Sequence, residues 1–385
     1  MDKVLIDITR LLARALEGRL ATGVDRVSMA YVAHYRKRSR ALVRFGGRWI
    51  ALDPDDSRHL FDALLEQSAN ISWIIRWLVG RAYVLSWGGI RASSILFNIS
   101  HSGLNDATYG RETRRRNLRP VFFLHDLIPI THPEYCRPGE LERHRARLSV
   151  MLSVAEGVIV NSADTEFAFE EYAKAQGLPL PPCVVAPLAP AALPYHASER
   201  PVDERYFVML GTIEPRKNHH LILHVWRQMV EEMGRDVPKL IVIGQRGWEC
   251  EQVIDMLERC TLLQGIVVEK SRCTDAELFT WLHHASALLF PSFVEGYGMP
   301  LVEALSLGVP VIASDLPVFR EIAGAVPEYL NPLDGPNWKR MIIEYVRDDS
   351  SYRKDQLRRL ESYSPPTWER HFLIVDNFLE TLKDA

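Results

Sequence analysis

Residues 291–304 read P-S-F-V-E-G-Y-G-M-P-L-V-E-A, with Glu295 and Glu303 separated by seven residues and Gly296 and Gly298 between them. The run follows a short apolar segment and leads into a helical pattern. It therefore describes a strand end, a glycine turn and a helix start. Unpaired backbone N–H groups and the helix dipole make such a turn an anion site, and glycine lets a ligand approach the main chain. Glu295 is expected in the loop and Glu303 in the first helical turn, both reaching toward one ligand. A capped helix with two solvated glutamates fits the same residues. A second run, 210–218, reads L-G-T-I-E-P-R-K-N and also lies between a strand pattern and a helix pattern. Arg216 and Lys217 at a helix N-terminus run against the dipole, which favours anions there. A dianionic phosphate between them would account for the pair; a solvated pair is the alternative.

Strands at 206–210, 240–243, 265–269, 287–290 and 310–313 alternate with helices at 218–234, 251–260, 275–285 and 299–307. Continuous apolar strands alternating with helices predict βαβ units and a parallel sheet covered on both faces. The N-terminal half repeats this less regularly. Strands are expected at 4–8, 95–99, 120–124, 157–160 and 183–186, a strand pair bent at Gly46-Gly47 over 41–52, and helices at 23–38 and 140–155. Residues 187–203, rich in proline, read as a linker. After the break at 364–368, Trp368, Phe372, Val375, Phe378 and Leu379 recur at helical spacing. The expected division is 1–196 and 197–365, two Rossmann-like domains, with 366–385 a terminal helix.

The 385 residues, 47% hydrophobic and 25% charged with net charge −3, suit two or three cored domains and argue against disorder or a dedicated nucleic-acid binder. Five cysteines without a C-x-x-C pair read as reduced thiols. With neither a spanning stretch nor a secretory leader, a cytoplasmic protein is expected. Walker A and dinucleotide fingerprints are absent from the sequence. The D-x-D at 53–55 reads as a turn and N-cap, and no metal ligand set is assigned.

Together the two runs resemble retaining GT-B glycosyltransferases, specifically glycosyltransferase family 4, densely over 206–315 and thinly elsewhere. The resemblance implies an α/β GT-B fold in which two Rossmann-like domains face a central cleft and a C-terminal helix crosses back to the first. It implies that Arg216 and Lys217 hold the donor diphosphate and that Glu295 binds sugar hydroxyls. Backbone at Gly296, Tyr297 and Gly298 would contact sugar or phosphate, Glu303 the ribose, and the edge 268–273, ending at Cys273, the base. His125, just past a strand, would line the donor sugar, with Asp126 either beside it or capping a turn. Gly23 would belong to a first phosphate-facing glycine loop, which here has one glycine where many members have two. The polar clusters at 97–103 and 161–162 are acceptor-side candidates or capped turns.

The implied activity is metal-independent retention: a hexose, by best guess mannose from GDP-mannose, passes from a nucleotide-diphosphate sugar to a hydroxyl of a growing glycan or lipid-linked oligosaccharide in bacterial surface polysaccharide synthesis. No cofactor other than this donor is expected. A GT-B phosphorylase or epimerase, or a non-catalytic nucleotide- or glycan-binding subunit, shares the same motifs. Residues 73–87 mix tryptophan with arginine, and further arginines cluster at 111–119. They describe either a core helix with solvated arginines or a peripheral membrane contact.

Overall fold

The computed structural model describes residues 4–19, 22–85, 89–191 and 199–383. The chain divides into two compact units, Met1–Thr131 with Pro138–Leu188 and Trp368–Ala385, and His132–Arg137 with Ala189–Thr367. The division thus falls at Leu188, ahead of the expected boundary at 196. Most of the expected linker's middle, 192–198, lies outside the described residues.

The first unit is built on a seven-stranded sheet. Its strands are β1 (Val4–Asp7), β2 (Arg40–Phe45), β3 (Arg48–Ala51), β4 (Ile95–Asn98), β5 (Arg119–Leu124), β6 (Gly157–Val160) and β7 (Cys183–Val185), in the order β3-β2-β1-β4-β5-β6-β7. All neighbours run parallel except the β2–β3 hairpin, which turns at Gly46-Gly47 as its sequence requires. β4 and β6 are buried along their whole length, which explains why they read as unbroken apolar runs. The long connection after β1 holds a helix of its own, Thr9–Leu16.

Helix Trp368–Thr381 belongs to this first unit. Phe372, Val375, Phe378 and Leu379 are buried, as their spacing predicts. Phe372 lies flat on His34 with ring centroids 3.9 Å apart. The Tyr35 hydroxyl donates to Asp376 at 2.7 Å, and Arg38 donates to both Asp376 oxygens. The helix seats so closely on β6 that a Cβ at Gly157 would stand 2.8 Å from Phe378 and Leu382.

The second unit carries a six-stranded, fully parallel sheet of β8 (Tyr206–Leu210), β9 (Lys239–Ile243), β10 (Val267–Lys270), β11 (Leu288–Phe290), β12 (Val311–Ser314) and β13 (Glu328–Leu330), in the order β10-β9-β8-β11-β12-β13. Helix His219–Met233 packs on it with Trp226 fully buried, the indole N–H donating to the Pro238 carbonyl. The strand order reverses on either side of β8, and open α/β sheets bind ligands at the carboxyl edge beside such a point. The two expected chemistry-bearing runs leave the sheet there, one from β8 and the other from its neighbour β11.

Candidate active site

After β8 the chain does not enter a helix directly. Pro215–Lys217 form one turn of 3-10 helix, Asn218 adopts the left-handed conformation, and the long helix starts only at His219. Arg216 and Lys217 therefore precede the helix rather than sit on its first turn. Asn218 anchors the turn by donating to the carbonyls of Pro291 (3.2 Å) and Pro332 (2.8 Å). Phe293 N–H donates to the Arg216 carbonyl at 2.8 Å. The two motif runs are thus joined through their backbones.

Their side chains meet as well. One Glu295 oxygen accepts from Arg216 Nη1 at 2.6 Å, and the other accepts from Lys217 Nζ at 2.5 Å and Ser292 Oγ at 2.7 Å. Arg216 Nε also pairs with Glu214 at 2.5 Å. Glu295 and Lys217 are buried, 8% and 7% exposed, and Glu303 is 6% exposed. These values exclude the solvated reading of Lys217 and of both glutamates. Glu295 thus bridges the two cations.

Burial disfavours the charged form of Glu295, but Arg216 and Lys217 more than offset it and hold its pKa at about 2. Burial and then the Arg216 charge draw the Lys217 ammonium below its usual value, against the pull of Glu295. Burial raises Glu214, opposed by Arg216 and Lys217. His219, next along the chain, is 3% exposed, and neither ring nitrogen has a hydrogen-bond partner among the described residues. Burial, helped by Lys217, lowers its pKa to about 3.

Both depressions have the same sign for stability. The unfolded chain binds more protons than the folded one below pH 6.5 at His219 and below pH 4.5 at Glu295. Stability from these groups is intact at neutral pH and drains away as pH falls through those values toward 3 and 2. The melting temperature is expected to fall steadily from pH 7 to pH 4, and His219→Gln should flatten the upper part of that slope. A melting temperature constant over this interval would contradict the assignment.

Gly298, at φ 111°, ends the glycine turn; a Cβ there would stand 2.7 Å from Phe319. Tyr297 is buried. Helix Met299–Ser306 follows, and Glu303 is its fifth residue, just past the first turn where it was expected. The run from Gly211 is fixed from the other side by the loop after β9. Gly211 N–H donates to Ile243, Ile213 N–H to Gln245 and Gly247 N–H to Ile213, each at 2.9 Å. The backbones lie so close that a Cβ at Gly244 would come within 1.8 Å of the Gly211 carbonyl oxygen.

Cys273 lies beyond edge strand β10, half-buried, its thiol pushed up to about 11 by burial. A cavity of about 530 Å³ beside this edge is lined by Gln245, Arg246, Glu269, Ser271 and Arg272, and Cys273 is not among its walls. Arg246 is held there by both oxygens of Glu269 and by Glu258.

His125 and Gly23 belong to the first unit. His125 stands at the end of β5, its Nε2 2.7 Å from the Ile99 carbonyl, while His101 Nε2 is 2.7 Å from the Phe123 carbonyl. A carbonyl only accepts, so both rings carry hydrogen on Nε2 and present Nδ1 as a lone pair. Burial lowers the pKa of both and favours that neutral form. Asp126 accepts from Ile128 N–H and caps a turn. Gly23 opens helix Gly23–Tyr35, but Asp25 takes the donors there. It accepts from Thr22 N and Oγ1 and pairs with Arg10 and Arg14. Ser162 caps the next helix by accepting from Thr165 N–H, and Asp53 caps its own by accepting from Asp56 N–H.

The family model for glycosyl transferases group 1 matches residues 196–326, the stretch that contains both runs. Over that stretch the chain is similar to the group 1 glycosyltransferases. Similar curated proteins include O-antigen chain mannosyltransferase B of Escherichia coli, 28% identical over 65% of this chain and 67% of that protein. The serotype-specific mannosyltransferase WbdA of the same species is 27% identical over 65% of this chain, which spans only 32% of WbdA. A crystal structure of Anabaena Alr3699/HepE in complex with UDP-glucose covers the whole of both chains with TM-score 0.68 at 15% identity, a likeness of fold alone. Two Rossmann-like sheets in one chain make this the GT-B class expected from the sequence.

Within the matched stretch, three expected residues, Arg216, Lys217 and Glu295, form one hydrogen-bonded cluster. Sequence reading did not assign Glu214, Ser292, Asn218 or Gly244. Glu214 and Asn218 lie inside the G-T-I-E-P-R-K-N run and Ser292 inside P-S-x-x-E, so the runs themselves were the available signal. Gly244 had none.

Proposed function

We propose that this chain is a retaining, metal-independent hexosyltransferase that moves mannose from GDP-mannose to a hydroxyl of a growing surface polysaccharide or lipid-linked oligosaccharide. The observation that carries the reading is the buried Arg216–Lys217–Glu295 cluster on the turn after β8. The mannosyltransferase relatives support the choice of sugar and pathway. Breaking the bond between the sugar's anomeric carbon and the diphosphate leaves negative charge on the phosphate oxygens. Arg216 and Lys217 stabilise that charge without reorganising, because Glu295 already fixes where their donors stand. The acceptor hydroxyl attacks the anomeric carbon on the face the diphosphate leaves, and its proton passes to the departing phosphate. Glu295 also binds sugar hydroxyls, Glu303 the ribose, and backbone at Gly296, Tyr297 and Gly298 the sugar or phosphate. His125, neutral, offers Nδ1 to the donor sugar. The base occupies the cavity beside Glu269 and Ser271. No cofactor other than the donor takes part.

The protein works in the cytoplasm, in peripheral contact with the inner face of the membrane. No described helix is long and apolar enough to cross one.

Thermal shift with GDP-, UDP-, ADP- and CDP-sugars, with and without EDTA, tests the donor assignment. Donor at about 100 times its Kd adds about 2.7 kcal/mol, which reads as a raised melting temperature. GDP-mannose should give the shift, unchanged by EDTA. A shift with another nucleotide class alone would replace the donor, and a shift abolished by EDTA would remove metal independence. Retention is read by NMR, from the anomeric configuration of the product.

A further inference from the structure

Helix Ile71–Leu85 is largely apolar, and its outward side carries tryptophans beside Arg76 and Arg81. Ile74, Ile75, Leu78, Val79 and Ala82 are buried against helices Thr9–Leu16 and Pro54–Leu65 and against β3. Here Trp73, Trp77, Gly80 and Val84 form an outward row, spaced at helical intervals along roughly 16 Å of axis. Trp73 is 64% exposed, Trp77 45% and Val84 77%. The two indoles are stacked parallel within 4°, centroids 5.9 Å apart. Past the end of the row Phe45, 61% exposed at the β2–β3 turn, stands edge-on to Tyr83. Trp87, part of the same sequence stretch, lies outside the described residues.

The charges carried by the helix itself are all positive. Arg76 and Arg81 flank the tryptophans, with the Arg81 guanidinium 4.8 Å over Trp77. Arg48 lies 4.6 Å over Tyr83. Residues 71–85 include no Asp or Glu. Asp53 and Asp56 both pair with Arg81, so across Arg48, Arg76 and Arg81 the positive charge prevails by one. A two-fold contact between copies would set arginines against arginines, which like-charge repulsion disfavours. An anionic lipid headgroup layer complements both features, since indole rings settle at the headgroup level and guanidinium groups pair with phosphates.

We propose that the Trp73–Trp77 face, continued by Phe45 and flanked by Arg48 and Arg76, is the surface by which the first unit docks on an anionic phospholipid bilayer. The inference rests on the membrane part of the reading above and is independent of the donor chemistry. The test is co-sedimentation of the full chain with phosphatidylcholine vesicles, with and without phosphatidylglycerol. Binding is expected only with phosphatidylglycerol, and weaker at high salt. Trp73→Ser with Trp77→Ser should weaken it at least about tenfold, and Arg76→Glu about fivefold or more. The replaced side chains lie at the surface, so the variants should stay folded, and their nucleotide-sugar thermal shift should match wild type. Failure of the wild-type chain to bind would overturn both this face and membrane contact. Equal binding by the tryptophan variant would overturn the face and leave membrane contact standing. A wild-type dimer that becomes monomeric in the tryptophan variant would give the face to a second copy and overturn the proposal.

Discussion

Lys217→Ala lowers the rate of sugar transfer at saturating donor at least about 100-fold, a barrier increase of about 2.7 kcal/mol. Lys217 is the buried cation of the pair, fixed by Glu295 at 2.5 Å with its ammonium 4.9 Å over the Phe290 ring. A cation held in a low-dielectric setting is worth more to a developing phosphate charge than a mobile one in water. Folding should survive the substitution, because Glu295 keeps Arg216 and Ser292 as partners and is not left as an orphaned charge. A stability loss of about 1–3 kcal/mol is the expected scale for one missing hydrogen-bond partner at a buried group. The decisive measurement is kcat in the folded variant, with KM recorded beside it. If kcat stays near wild type while only KM rises, Lys217 serves binding and not the departure of the diphosphate.

Gly244→Ala is the second large effect, at a residue whose side chain does no chemistry. Its Cβ would meet the Gly211 carbonyl oxygen at 1.8 Å and the carbonyl carbon at 2.6 Å. Two backbones are involved, so no rotamer relieves the overlap. One of the loops has to move by about an ångström, and three backbone hydrogen bonds tie them together. Losing two or three of these costs about 2–4 kcal/mol. The displaced run carries Arg216 and Lys217, and a shift of about 1 Å at a catalytic group lowers rate about 100-fold. Urea unfolding and kcat on one preparation check both halves. Wild-type values for both would mean that the loops separate without consequence.

The two effects mark where the sequence was legible. Strands such as β6 and β11 are buried on both faces, and that double burial is what makes an unbroken apolar run readable. The Glu295 and Glu303 spacing was readable because seven intervening residues carry the chain across one turn and into one helix. The ion pair between Lys217 and Glu295 spans 78 positions and exists only because β8 and β11 are neighbours in the sheet. Each run could be found alone, but their union needed strand order. Arg216 and Lys217 were expected on a helix terminus because local pattern cannot distinguish a 3-10 turn from the first turn of an α-helix. Gly244 was invisible for a different reason. Its constraint is the position of another loop's carbonyl, and nothing in its own neighbourhood encodes that. The reciprocal bonds of His101 and His125 likewise depend on which strands stand side by side.

Helix Trp368–Thr381 sets an order of events during synthesis. Tyr31 and its partner His371 are 340 residues apart, and Phe372 closes over His34 and Tyr35 in the same place. The strands of the first unit leave the ribosome early, whereas the helix that covers them is translated after the whole second sheet. Until it arrives, Tyr31, Tyr35 and the groove above Gly157 stand uncovered on a nascent chain. The second unit meanwhile has all six strands of its sheet. The unit made first is therefore the unit finished last, and the wait exposes its apolar groove to whatever chaperone or neighbouring chain reaches it before residue 368 does.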